Sequence, residues 1–146
     1  MPNDTAKQLR EILQNVRKRI PKEEFCGLGV IIYSNIKDLP ILPLCPNQAI
    51  DKGKELVEQL ALASFYSNPC HDGFHLISDR LELTHKNQYF APQIPAKKDA
   101  FDFGLMNRGA RYMSAQIGSL IPSVCCIGIF SNRDGLVVFQ DGKEIL

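Results

Sequence analysis

Apolar residues recur along this 146-residue chain with two periods, and the points where the period changes mark its elements. Across residues 5–20, Leu9, Ile12, Leu13, Val16 and Ile20 fall on one stripe of a helix. Asp4 or Thr5 caps its start; Arg17, Lys18 and Arg19 suit the C-terminal dipole, and Pro21 stops it. Residues 29–33 are a continuous, β-branched run, the mark of a buried strand. Residues 38–46 carry three prolines and read as a loop or edge strand. Helical spacing returns over residues 48–67, with Leu56, Leu60 and Phe65 apolar, and Asn68-Pro69 ends it. Residues 74–77 predict a core strand, and Leu81, Leu83 and residues 88–91 add one or two more. Residues 92–102 are polar and contain proline, as a surface excursion does. A third helix is predicted over residues 108–120 and a buried strand over 124–130. A turn at 131–135 then leads to a strand at 136–139, and Asp141-Gly142 makes a further hairpin turn. Helices interleaved with strands, the last of them hairpin-linked, predict an α/β fold: a central mixed β-sheet with helices on both faces. There is no internal repeat or linker, so one domain is expected over residues 1–146, with its motif-bearing core at about 27–146.

Composition narrows the function classes. Hydrophobic content of 45% and charged content of 23% are ordinary for a globular protein. A net charge of +1 argues against nucleic acid or a membrane surface as partner. No apolar run approaches the ~20 residues of a membrane span. The start, Met1-Pro2-Asn3-Asp4, is polar and unlike a signal peptide, so a cytoplasmic protein is expected. Cys26, Cys45, Cys70, Cys125 and Cys126 are odd in number and lack a CxxC pair. They predict reduced, mostly buried thiols, not a disulfide framework.

Two segments carry candidate chemistry. In Asn68-Pro69-Cys70-His71-Asp72-Gly73, an acid sits on a Pro/Gly turn between helical and strand-like stretches. An Asp-Gly after Asn-Pro is most often a plain turn. The functional reading makes Asp72 a metal ligand that helps to ionise a ribose hydroxyl, with Gly73 letting backbone approach a nucleotide. His71 and His75 beside Cys70 do not match zinc-ligand spacing. In Gly109-Ala110-Arg111-Tyr112-Met113-Ser114-Ala115, small residues and an arginine stand at the mouth of a helix, where backbone amides can hold a phosphate. Arg108 offers a second positive charge three positions earlier. Alone, an arginine in a helix's first turn is usually a solvated charge.

The order of these segments resembles the diadenylate cyclase family, whose members join two ATP molecules into cyclic di-AMP. The first segment is similar to that family's HDGA turn, with Phe74 in place of Ala. The second is similar to its GTRHRAA helix start, keeping Gly109, Arg111 and Ala115. Residues 131–135 sit where a Ser-Glu-Glu-type turn is expected, and Asp141-Gly142-Lys143 matches the closing turn. The resemblance implies a diadenylate-cyclase-like fold over roughly residues 27–146. It implies a nucleotide site built from His71, Asp72, Gly73, Phe74, Gly109, Ala110, Arg111 and Tyr112, with Asp72 as catalytic residue and metal ligand. Arg108 and Arg133 are candidate phosphate contacts. Several of the family's groups are replaced: Ala110 for Thr, Tyr112 for His, Met113 for the second Arg, and Asn132 or Arg133 for the glutamate. Phosphoryl-type transfer rests on positioning and charge neutralisation, and each lost contact costs ~10²–10³ in rate. The expectation is therefore a catalytically degenerate nucleotide-binding domain, a sensor or regulatory module for ATP or another nucleotide. The alternatives are an active diadenylate cyclase, which would need Mg²⁺ or Mn²⁺ and a face-to-face homodimer, and a non-catalytic protein-interaction domain.

Overall fold

A computed structural model describes residues 4–46, 49–96 and 109–145. Strand β1 (Leu28–Tyr33) lies at the centre of a seven-stranded sheet, with every residue buried. It pairs in parallel with β3 (Phe74–Ser78) and antiparallel with β5 (Val124–Ser131). Beyond β3 come β4 (Leu83–Phe90) and the edge strand β2 (Ile41–Pro43); beyond β5 come β6 (Gly135–Gln140) and β7 (Lys143–Glu144). All pairs except β1–β3 are antiparallel. This is the mixed sheet that the alternating helices and terminal hairpins predicted.

The pleat sends successive β1 side chains to opposite faces, and each face has its own core. Leu28, Val30 and Ile32 meet helix α1 (Asp4–Arg19) and helix α2 (Leu56–Ala63) through Leu9, Leu13, Val16 and Leu60. Ile31 and Tyr33 face the other way, toward Phe74, Phe139 and helix α3 (Ala110–Gly118). Burial of both faces explains why the sequence of β1 shows no alternation. Each of its aliphatic side chains contributes about 1.5–3 kcal/mol by leaving water.

Helix α1 packs close to β5 because Gly128 has no side chain. A β-carbon there would overlap Leu13 Cδ1 and come within 3.1 Å of Leu9 Cδ2. Arg17 closes the helix by donating to the Ile20 carbonyl at 2.9 Å while its guanidinium lies 4.1 Å from the Phe25 ring centre. The second helix is shorter than its predicted 48–67 span. Asp51 turns the chain by accepting from the Gly53 amide, and Gln59 Oε1 takes the Asp51 amide. These side-chain bonds compete with helix over the 51–54 stretch. Glu55, at the cap of α2, pairs with Arg19 instead of capping. The separate candidates at Leu83 and residues 88–91 are one strand, β4, whose ladder to β3 is irregular and in which Asn87 takes φ 54°.

The cysteines require a correction. Cys45 and Cys70 are joined by a disulfide, with Cα atoms 6.1 Å apart. An odd cysteine count concealed a pair that the β2–β4 pairing brings together. Cys26, Cys125 and Cys126 are free. Among the described residues no helix is long and apolar enough to cross a membrane.

Candidate functional site

The parallel β1–β3 pair and the antiparallel β1–β5 pair bring four segments to one end of the sheet. They are the start of β1, the Asp72-Gly73 turn before β3, the start of α3 and the hairpin at residues 131–135. Gly27 and Gly29 lie here on the α3 side of β1, and their missing side chains leave a groove. A β-carbon on Gly29 would stand 2.8 Å from the Phe74 ring and 3.5 Å from Arg111 Cδ. One on Gly27 would overlap Arg111 Nη1, and the φ of +142° at Gly27 already disfavours any other residue. The groove thus holds the side chain of Arg111, reaching back from the first turn of α3 across the start of β1.

Arg111 is largely buried and, among the described residues, makes no ion pair. Burial pulls its pKa below the ordinary arginine value, and the nearby Cys26 thiol and Asp72 carboxylate act in the opposite direction. Burial raises the pKa of the Cys26 thiol, against the opposing pull of Arg111. The guanidinium is therefore a desolvated cation with acid groups near it but none bonded to it.

Beside it opens a cleft of about 220 Å³, lined by Asp72, Gly73, Phe74, Ala110, Arg111 and Ser114 together with Leu44, Gln88, Tyr89 and Phe90. Asp72 is exposed on its turn. Gly73 has no room for a side chain: a β-carbon would lie 2.7 Å from Leu44 Cδ1 and 2.9 Å from Asn87 C and Gln88 N. A buried polar cluster fixes this turn. Asn87 Nδ2 donates to the carbonyls of Ala63 and Cys70 at 2.9 and 2.8 Å, and the Asn87 amide donates to His75 Nδ1 at 3.0 Å.

The remaining sequence-derived residues lie elsewhere. His71 turns from the cleft, with its ring 5.2 Å from that of Tyr66 and its Nδ1 2.8 Å from the Asn68 carbonyl. Tyr112 is buried against Phe139 and donates to Glu144 at 3.2 Å, because adjacent residues of a helix point about 100° apart. Ser114, three residues after Arg111, shares its face. Met113 packs against the core. Gly109 caps α3 without a side-chain bond and is exposed. Arg133 is exposed in the 131–135 hairpin and does not line the cleft. Arg108 lies outside the described residues. No group of three or more acid, histidine or cysteine side chains suited to a metal occurs among the described residues.

Sequence reasoning missed Gly27, Gly29, Leu44, Gln88, Tyr89, Phe90 and Ser114. Glycines two apart at the start of a strand share one face, and that spacing was the available signal. A wider cleft of about 590 Å³, lined in part by Lys52, Lys54, Leu56 and Glu82, lies apart from these residues. Its charged groups are exposed and solvated, so they gain less from a ligand than Arg111 does.

No family model matches the chain, and no curated protein matches it. Solved structures do. One is a hypothetical membrane spanning protein from Bacillus cereus, with TM-score 0.66, 16% identity and 97% of this chain covered. The chain spans 62% of that protein's length. Another is a double mutant of DacA from Staphylococcus aureus, with TM-score 0.62, 17% identity, and 98% of this chain and 88% of that one covered. At these identities the likeness is one of fold.

Proposed function

We propose that the chain is a nucleotide-binding module on a diadenylate-cyclase-like fold, one that holds its ligand without turning it over. The observation that carries this reading is Arg111: a largely buried guanidinium, unpaired among the described residues, at a helix start and beside a cleft. A buried cation gains when an anion enters, and a phosphate adds bidentate hydrogen bonds. Ala110 leaves the first turn of α3 open for that phosphate, and its backbone amides add their partial positive charge. Phe74, Tyr89 and Phe90 offer apolar and aromatic surface for the rest of the ligand. The likeness to DacA, a diadenylate cyclase, supports the same class of ligand.

The missing groups argue against turnover. Asp72 is one carboxylate where metal-assisted chemistry needs several oxygen ligands, and Mg²⁺ or Mn²⁺ would rest on it alone. Met113 packs into the core and offers no charge to a phosphate, and Asn132 and Arg133 supply no acid.

Binding of AMP, ADP, ATP and cyclic di-AMP to the purified protein tests the reading, with and without Mn²⁺, alongside chromatography of ATP incubations. The expected result is binding that survives metal removal, falls at least about tenfold in Arg111→Ala, recovers in part in Arg111→Lys, and yields no product. Failure to bind any adenine or guanine nucleotide at millimolar concentration would overturn it. Cyclic di-AMP that vanishes in Asp72→Asn would instead establish an active cyclase.

A further inference from the structure

We infer that the Cys45–Cys70 disulfide is a redox control on the cleft wall, tying a weakly held arm to a firmly held turn. The inference rests, for its effect on affinity, on the nucleotide reading above. The arm is the edge strand β2 and the residues after it. It is three residues long and, among the described residues, pairs only with β4, and Leu42, Pro43 and Leu44 are all exposed. Past the strand, a single backbone bond from the Leu44 amide to the Asn87 carbonyl at 3.0 Å continues the pairing. Then Cys45 crosses to Cys70.

The other end is anchored. Cys70 is buried; its amide donates to Asn68 Oδ1 at 3.0 Å and its carbonyl accepts from Asn87 at 2.8 Å. Asp72 follows two residues later. Leu44, next to Cys45, lines the cleft and fills the space that a side chain on Gly73 would need. The covalent link therefore holds one wall of the cleft against the turn that carries Asp72.

Opening the link needs a dithiol reductant. Its thiolate attacks one sulfur and the S–S bond breaks. Its second thiolate then attacks the reductant sulfur of that mixed disulfide and expels the other protein thiolate, leaving the reductant as a disulfide and Cys45 and Cys70 as two thiols. Two electrons and two protons pass from the reductant to the protein. With the link gone, short edge pairing is what holds Leu44 among the described residues, and a ligand must order that wall as it binds. An ordering cost of this kind weakens affinity by about tenfold.

The experiment uses the full chain in oxidised and dithiol-reduced forms, and Cys45→Ser as a permanently open variant. Alkylation followed by peptide mapping reads the link, hydrogen exchange reads the Leu44 and Gly73 amides, and AMP titration reads the cleft. A linked 45–70 peptide, faster exchange on reduction and about tenfold weaker AMP binding are expected. Cys45→Ser should match the reduced form and ignore reductant. Free alkylation of both thiols after treatment with glutathione disulfide would overturn the inference, as would equal exchange and equal affinity in both forms. If AMP bound neither form while exchange still responded, the control on the wall would stand and the nucleotide reading would fall.

Discussion

Lowering the pH from 7 to 5 should remove about 2 kcal/mol of folding stability through a single buried imidazole. His75 is fully buried on β3. Its Nδ1 accepts the Asn87 amide at 3.0 Å, so the ring proton sits on Nε2 and is donated to Ser64 Oγ, also 3.0 Å away. Ser64 in turn donates to the Leu60 carbonyl at 2.7 Å. A second ring proton on Nδ1 would face the Asn87 N–H, donor against donor. Burial pushes the pKa from 6.5 down to about 3, and the charges of Arg111 and Lys86 act in the same direction. Because the folded-state value is the lower one, the unfolded chain takes up the proton first. The contribution is present in full above pH 6.5 and is lost as pH falls toward 3, at about 1.4 kcal/mol per pH unit. At pH 5 that loss is about 2 kcal/mol, near 1 M in a urea midpoint for a typical small-protein slope. His85 is also shifted down by burial and adds a smaller loss of the same sign. Urea unfolding of the oxidised protein at both pH values, repeated on His75→Gln, isolates the effect. The variant should be weaker at pH 7, since one amide cannot serve both partners, but should lose about 2 kcal/mol less on acidification. An unchanged pH dependence in His75→Gln, or an NMR titration of the His75 ring near 6.5, would rule out a buried neutral His75 as the cause.

Two further predictions concern close packing. Gly29→Ala should cost about 1–3 kcal/mol by driving a methyl group into the Phe74 ring, and should weaken nucleotide binding through Arg111; thermal unfolding and titration measure the two effects. Gly128→Ala should destabilise by a similar amount and Leu13→Ala by about 2–5 kcal/mol, yet the double variant should lose less than the sum, because the new methyl group enters the space that Leu13 vacates; strict additivity in urea unfolding would count against this packing.

The sheet was legible because burial on both faces erases polar positions, so β1 and β5 stand out as unbroken apolar runs. The α1 stripe was legible for the converse reason, having one buried face. The length of α2 was not, since apolar spacing continued past the side-chain bonds of Asp51 and Gln59 that hold residues 51–54 out of the helix. Motif order pointed to Asp72 and Arg111, which the fold brings to one cleft. It could not say which neighbours turn inward: helical rotation sends Tyr112 to Glu144 and leaves Ser114 beside Arg111. The disulfide depended on contact between residues 25 apart in sequence, which only the β2–β4 pairing supplies.

The place of β1 at the centre of the sheet governs when the cleft can exist during synthesis. Its neighbour β3 emerges some 45 residues later and its other neighbour β5 about a hundred later. At a translation rate of ~5–20 residues per second, the groove over Gly27 and Gly29 waits several seconds for α3 and β5. Throughout that interval this wholly apolar-packed strand has an open edge, the condition under which strands pair with the wrong partner. Helix α1, made before β1, carries the stripe that can lie against it meanwhile. Helix α1 would then serve the nascent chain as a temporary cover before it serves the folded one as half of a core.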